Sequence, residues 1–272
     1  MPMITRILMI SAMAGCLSTA AARPGKATVE WLASSATVEP GKPMQTAIRM
    51  VIDDGWHTYW INPGEAGMPT TVEWKLPPGW QTGGLVFPEP ARFLTSGLAG
   101  FGYEGTVLFP VTLTPPADFT GKARLTAVVS WLACGESGCV PGEAEIHLDL
   151  AAGAASPTAE VAAISAAYQK LPRPAGNALR LTVAESGKNL LLSITMEPME
   201  PGAAPDPGGR EAFPATPEVA EPRAVIRFSK TGNTWTSEVP KSGYAAGPAR
   251  RLTLVLAGGE AHGPLELTWS AP

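Results

Sequence analysis

Short, alternating β-rich segments separated by turn residues dominate this sequence and predict an all-β protein. Charged residues make up only 16% of the 272 residues, whereas Gly (29) and Pro (28) are abundant. This composition favours many short strands joined by tight turns over long charged helices. Hydrophobic residues reach 45%, which is enough to fill the core of one large domain or two modest ones.

The strand pattern is clearest between about residues 28 and 150. In Thr28–Ala33, apolar Val29 and Trp31 alternate with polar residues, as on a half-buried strand. Turn sequences at 62–64 (Asn-Pro-Gly) and 77–79 (Pro-Pro-Gly) end two of the segments. Further strands are predicted at 45–52, 56–61, 70–76, 106–113, 122–132 and 143–150. Strands at this spacing predict an immunoglobulin-like β-sandwich.

A helix and a second β-rich region follow the predicted sandwich. Apolar residues in Pro157–Leu171 form a helical stripe that includes Ile164 and Tyr168, with Thr158 as a possible N-terminal cap. Strands predicted at 178–184, 189–196, 223–229, 252–257 and 265–270 form a second, smaller β-domain. Residues 197–221, rich in Pro, Gly and Ala, are expected to form a long mobile surface loop.

The N-terminus has the pattern of an export signal. Arg6 precedes an apolar run, and Ala20-Ala21-Ala22 before Arg23 fits a cleavage site. A competing interpretation is a lipoprotein signal, because Met13-Ala14-Gly15-Cys16 resembles a lipobox that would make Cys16 a lipid anchor. No later segment reaches the ~20 apolar residues of a transmembrane helix. We therefore expect four parts: signal peptide 1–22, sandwich 23–152, helical linker 153–174 and second β-domain 175–272.

Charge and histidine content argue against several classes of function. The net charge of −4 provides no basic surface for phosphates, so nucleic acid is not an expected partner. His57, His147 and His262 are scattered without a metal-ligand spacing, and no metal or other cofactor is expected. His57 beside Asp53 and Asp54 has the residue types of acid–base chemistry, but polar residues near a strand end are ordinary, so catalysis is not expected there.

Two cysteines remain once the signal segment is set aside, Cys134 and Cys139. Strand-like runs flank them, and two of the four residues between them are Gly, so the chain can turn back there. In an oxidising compartment we expect them to meet as a disulfide. A loop this short yields only ~2 kcal/mol of stabilisation, below the ~3 kcal/mol of a fifteen-residue loop. A weak, superficial bridge favours thiol exchange, but a structural disulfide in a non-enzymatic protein-binding scaffold remains an alternative.

Three separated segments resemble a known family, the N-terminal periplasmic domain of DsbD. They are the cysteine segment 131–142, the strand and turn Gly55–Gly64 with 67–70, and Phe101-Gly102-Tyr103-Glu104-Gly105 leading into 108–111. The resemblance spans about residues 27–150, with order and spacing preserved. The whole chain, with its second β-region, is similar to the longer N-terminal section of ScsB-type relatives.

This resemblance implies a function and a set of residues. It implies that Cys134 and Cys139 are the redox pair on a hairpin, and that Phe101 and Tyr103 belong to a cap loop over the disulfide. It implies electron transfer from a thioredoxin-like donor to periplasmic oxidoreductases or cytochrome c maturation thiols, through mixed disulfides. The expected partners are thioredoxin-like periplasmic proteins and a separate membrane electron donor.

The sequence also departs from the family pattern. The better-known DsbD domain has one more residue between its cysteines than the four present here. Its acidic cap-loop residues have no clear match, and Ala99 and Gly100 stand nearby instead. The direction of electron flow, the cysteine that is attacked first and the role of the second β-domain do not follow from the sequence.

Overall fold

The structure is a computed structural model that describes residues 24–196, 206–259 and 263–272. The predicted signal peptide, including Cys16, and also His262 lie outside the described residues. After a short 3₁₀ turn (Pro24–Lys26), the first half contains β1 (Ala27–Ala33), β2 (Thr37–Val38), β3 (Met44–Ile52), β4 (Trp56–Gly64), β5 (Thr71–Lys75), β6 (Gln81–Thr82), β7 (Ala91–Thr95), β8 (Leu98–Tyr103), β9 (Thr106–Thr114), β10 (Lys122–Gly135) and β11 (Gly138–Ala152).

The second half begins with one helix and then consists of further short strands. It contains α1 (Val161–Gln169), β12 (Arg173–Pro174), β13 (Leu179–Ser186), β14 (Asn189–Met196), β15 (Glu211–Pro214), β16 (Ile226–Arg227), β17 (Ser229–Thr231), β18 (Thr234–Pro240), β19 (Arg251–Leu256) and β20 (Leu265–Ser270). In the part of the chain that is described, no helix has the length and apolar character that a membrane crossing requires.

The first sandwich consists of β1 to β11 in two sheets. One sheet has the order β1-β3-β9-β6, and the other has the order β2-β11-β10-β4-β8-β7, with β5 also paired to β10. Alternate side chains of β10, among them Leu125 and Val129, point into the core and are fully buried. Across the core, the rings of Tyr103 on β8 and Phe109 on β9 meet edge to face, with centroids 5.4 Å apart.

Helix α1 covers the outer face of the first sheet. Ile164 is fully buried in a small cluster with Leu32 and Ala47 of β1 and β3. The Tyr168 hydroxyl lies 3.1 Å from the Thr112 hydroxyl of β9. The predicted linking helix is present and begins at Val161. These contacts pack it onto the first sandwich.

The second sandwich consists of β12 to β20. Its sheets have the orders β13-β14-β18-β17 and β12-β20-β19-β15-β16, around a core that includes Trp235 and Leu254. The prediction of a long mobile surface loop over 197–221 was wrong in its second part, because β15 lies there between β19 and β16; its first part, 197–205, lies outside the described residues. Ala212 and Phe213 of β15 are buried. The all-β prediction, with an immunoglobulin-like sandwich, a linking helix and a smaller second β-domain, is confirmed.

The two sandwiches pack directly against each other. Phe213 and Val255 of the second sandwich belong to the same buried cluster as the core of the first. The buried side-chain amide of Asn62 on β4 donates a hydrogen bond of 2.7 Å to the carbonyl of Pro214 on β15. The end of β4 and the strand β15 are therefore fixed to each other.

Candidate functional site

The two cysteines lie at the tip of the β10–β11 hairpin. Cys134 is directly opposite Cys139, and Gly135 is opposite Gly138. A disulfide joins the cysteines, as the sequence predicted, and their Cα atoms are 4.1 Å apart. That distance is close to the ~4.5 Å of directly opposed residues that do not exchange backbone hydrogen bonds. Register alone therefore brings the sulfurs together.

Glycine is required on both sides of the turn, for different reasons. A Cβ on Gly135 would lie 2.7 Å from the carbonyl oxygen of Gly55, in the turn between β3 and β4. Gly138 has a φ of 123°, which L side chains rarely adopt. The hairpin tip is thus tight and also rests against the start of β4.

The two cysteines differ in accessibility. Cys134 is only 1% exposed, because β10 runs between β4 and β11 at this point. Cys139 is exposed, since the other neighbour of β11, strand β2, pairs with it only at Ala151 and Ala152. Of the two sulfur-bearing residues, Cys139 is therefore the one open to solvent.

A buried histidine is the cross-strand neighbour of Cys134. His57 on β4 lies directly opposite Cys134, so both side chains project from the same face of the sheet. Tyr59, two residues further along β4, shares this face, and His57 Nε2 is hydrogen bonded to the Tyr59 hydroxyl at 3.3 Å. Burial lowers the pKa of His57 and raises the pKa of Tyr59. Both groups are therefore neutral near pH 7.

The β7–β8 hairpin, residues 91–103, supplies the ring that covers His57; we call it the cap hairpin. The Phe93 ring centroid lies 3.8 Å from that of His57 and 5.8 Å from that of Tyr59. Opposite Phe93 on β8 is Gly100, where a Cβ would be 2.2 Å from the Phe93 ring. The absence of a side chain at Gly100 therefore leaves room for the Phe93 ring beside His57.

The structure places Phe101 and Tyr103 on the opposite face of the sheet from the cysteines. Tyr103 pairs with Thr58, whose side chain points away from that of its neighbour His57. Phe101 is fully buried against Phe213 of the second sandwich, with ring centroids 5.6 Å apart. The Tyr103 hydroxyl donates a hydrogen bond to the Pro88 carbonyl, and burial raises its pKa well above the usual value. In this structure neither ring lies over the disulfide.

Sequence reasoning missed the residues that do line the cysteine face. The sequence places His57 beside Asp53 and Asp54, whereas in the structure its ring contacts are to Tyr59 and Phe93. Alternation along β4 places His57 and Tyr59 on one face, which is a signal present in the sequence. Among the described residues, no cluster of three or more His, Cys, Asp or Glu side chains is suited to hold a metal ion.

A family model matches the part of the chain that contains the disulfide. Residues 28–151 match the family model described as "Thiol:disulfide interchange protein DsbD, N-terminal". This segment belongs to the DsbD N-terminal family. It comprises nearly the whole first sandwich, including both cysteines and the cap hairpin. No curated protein matched the sequence.

Solved structures extend the similarity of fold beyond this domain. The N-terminal periplasmic domain of ScsB from Proteus mirabilis is similar over 90% of this chain and 91% of its own, with a TM-score of 0.63 and 19% identity. The reduced N-terminal domain of DsbD from Neisseria meningitidis covers 48% of this chain and 90% of its own, with a TM-score of 0.24 and 16% identity. The likeness to the ScsB domain spans both sandwiches.

Proposed function

We propose that this chain is a periplasmic thiol-disulfide exchange module whose working pair is Cys134 and Cys139. The observation that carries the proposal is a cross-strand disulfide at an exposed hairpin tip, within a domain of the DsbD N-terminal family. The first domain, 23–152, would carry the chemistry, and the second domain, 175–272, would follow the linker 153–174.

The proposed reaction begins at the exposed sulfur. A partner thiolate attacks Cys139, so that a new sulfur–sulfur bond forms and the bond to Cys134 breaks. Cys134 leaves with the electron pair and takes up a proton. A second partner thiol then attacks the partner's own sulfur in the mixed disulfide, which releases Cys139 and leaves the partner oxidised. The dithiol holds two electrons, so the chain needs no bound cofactor to pass them onward by the reverse steps.

The surroundings of Cys134 determine how readily it leaves. His57 lies opposite it and is neutral, and Phe93 covers the His57 ring. A charged thiolate is poorly stabilised in such low-polarity surroundings. We therefore assign the cap function to Phe93 on the cap hairpin, which would move when a partner docks.

The expected partners are thioredoxin-like periplasmic proteins, with a separate membrane protein as electron donor. Envelope oxidoreductases or cytochrome c maturation thiols would receive the electrons. The alternative function is a protein-binding envelope scaffold with a structural bridge, and the burial of Cys134 is the observation that favours it.

The reduction potential of the pair separates these two functions. Purified protein is equilibrated in glutathione or dithiothreitol redox buffers, and the fraction of free thiol is measured. A potential between about −180 and −270 mV, the range of exchange proteins, supports electron transfer. A potential below roughly −300 mV, typical of structural bridges, contradicts it.

A further inference from the structure

An arginine on the cap hairpin reaches into the second sandwich. Arg92 precedes Phe93 on β7 and points to the other face of the strand. Its Nε lies 2.8 Å from Glu211 Oε1 of β15, and its other two nitrogens donate to the carbonyls of Pro222 and Ala224. The guanidinium also stacks on the Phe101 ring, 4.9 Å from its centroid. Every donor nitrogen of Arg92 thus has a partner in the second sandwich.

A second arginine holds the tip of the cap hairpin from the opposite side of the interface. Arg223 Nη2 donates to the carbonyl of Gly97, in the turn between β7 and β8, at 2.5 Å. Its Nε donates to Glu65 Oε1 at 3.0 Å, and Glu65 Oε2 accepts from the Ala99 N–H at 2.6 Å. The hydrogen bond from Ala99 and the contact with Arg223 lower the pKa of Glu65. The carboxylate therefore stays charged and joins the hairpin to both domains.

The cap hairpin has little other support on its outer side. β7 is the terminal strand of its sheet and pairs only with β8 among the described strands. Leu94 of β7 and Leu98 of β8 are 68% and 44% exposed. Beside the packing of Phe101 on Phe213, the side-chain hydrogen bonds described between this edge and the second sandwich are those of Arg92 and Arg223.

We propose that Arg92 and Arg223 are positioning residues through which the second sandwich holds the cap hairpin, and with it Phe93, against His57 beside Cys134. This inference rests on the proposed exchange function and assigns the second domain a role in it. Held closed, the hairpin keeps the leaving sulfur of Cys134 in low-polarity surroundings and slows attack by small thiols. A partner that displaces the hairpin removes this restraint.

The test is the rate at which dithiothreitol reduces the disulfide in the full chain. Arg223→Ala removes the tip contacts, and we expect reduction to become about three- to fivefold faster, the effect of one partly exposed ion pair. Arg223→Lys retains a positive charge near Glu65 but lacks the guanidinium that also donates to the Gly97 carbonyl. Its rate of disulfide reduction should lie between those of the unaltered protein and Arg223→Ala. An unchanged rate in folded Arg223→Ala protein would overturn the proposal.

Arg124→Ala is the matched control. Arg124 forms an exposed bidentate pair with Asp149 on the same sheet, ten residues along β10 from Cys134 and about 33 Å away. It should leave the rate unchanged, and equal acceleration by both variants would also overturn the proposal.

Amide hydrogen exchange separates local opening from general loss of structure. In Arg223→Ala protein, protection should fall in β7 and β8 and be retained in β10 and β11. Equal loss in all four strands would contradict a cap-specific role. The reduction potential of the unaltered protein tests the exchange function separately. The effect of Arg223→Ala on the rate of disulfide reduction does not depend on the value of that potential.

Discussion

Cys139 is exposed at the end of β11 that β2 does not reach, whereas Cys134 is enclosed between β4 and β11. Thiol–disulfide exchange depends on which sulfur is accessible and on how well the departing thiolate is stabilised. At the scale of single residues, the fold therefore gives different accessibility to two cysteines that spacing alone leaves equivalent.

Single cysteine variants test this difference. In Cys134→Ser protein the remaining Cys139 should react quickly with dithiobis(nitrobenzoate) and form a stable mixed disulfide. In Cys139→Ser protein the buried Cys134 should react at least about tenfold more slowly, because it requires local opening. The reaction is followed by absorbance in native buffer, and equal rates would contradict the assignment.

His57 should make stability depend on pH. Because its pKa is lowered in the native state, the unfolded chain binds a proton below about pH 6.5 that the native chain excludes. The free energy of unfolding from this group is fully present above about pH 6.5, and is lost as the pH falls towards the native-state pKa. Urea titrations at pH 7.5 and 5.5 should show this loss.

His57→Phe is the variant that isolates this effect. It keeps an aromatic ring beside Phe93 and removes the titration, so its stability should differ less between the two pH values. The carboxylates with lowered pKa values, Glu65, Asp149 and Glu185, titrate at more acidic pH and should respond equally in both proteins. The same pH dependence in both would show that His57 is not responsible.

At the scale of elements, strand β7 of the cap hairpin contacts two different parts of the molecule. Arg92 and Phe93 are adjacent in sequence, yet strand alternation sends one to the second sandwich and the other to the cysteine face. A strand only five residues long thus joins the domain interface to the surroundings of the disulfide.

Gly100→Ala tests the packing of the cap hairpin without altering its charges. Because a Cβ at Gly100 would lie 2.2 Å from the Phe93 ring, the ring must move away from His57. We expect dithiothreitol to reduce the disulfide several-fold faster in this variant. Gly83→Ala is the control, since its Cβ would meet nothing closer than 3.9 Å. Equal rates in the two variants would argue against Phe93 as the cap.

Strands with clear alternation and turn boundaries were predictable from sequence, and β1, β3 and β14 correspond closely to the predictions. The cysteine hairpin was predictable for the same reason. The pair β7 and β8 was not, because Gly97, Gly100 and Gly102 weaken the strand pattern. The resemblance implies a cap loop for Phe101 and Tyr103, whereas β8 directs both side chains into the core.

The second sandwich was less predictable. β15 lies in a segment rich in Pro and Gly, and its burial arises from β19 and from the first sandwich, which local composition does not reveal. The predicted strand 223–229 is divided between β16 and β17, and β18 was missed. The positions of these strands depend on contacts between residues far apart in the sequence, which a local pattern does not show.

At the scale of the whole molecule, the two sandwiches share buried contacts and should unfold together. Phe213 of β15 packs on Phe101 of β8, and Asn62 is hydrogen bonded to the Pro214 carbonyl. We expect urea unfolding followed by tryptophan fluorescence and by circular dichroism to give coincident transitions. Two separate transitions in the unaltered protein would contradict this coupling.

Phe213→Ala should weaken this coupling. Removing a buried Phe costs about 3–5 kcal/mol, and here the loss falls on both domains, so the two transitions should separate. Leu191→Ala is the control, because Leu191 is 40% exposed on β14, and its variant should retain coincident transitions. A Phe213→Ala protein that behaves like the control would show that the domains are stabilised independently.

The Arg92–Glu211 pair also constrains how the sequence can change over evolution. The two residues are 119 positions apart and only 19% and 22% exposed, so replacing either one leaves the other charge poorly compensated. We expect substitutions at 92 and 211 to occur together in two-domain relatives, and to be uncorrelated wherever the first sandwich occurs alone. A first sandwich transplanted into another protein would therefore need a new residue at position 92.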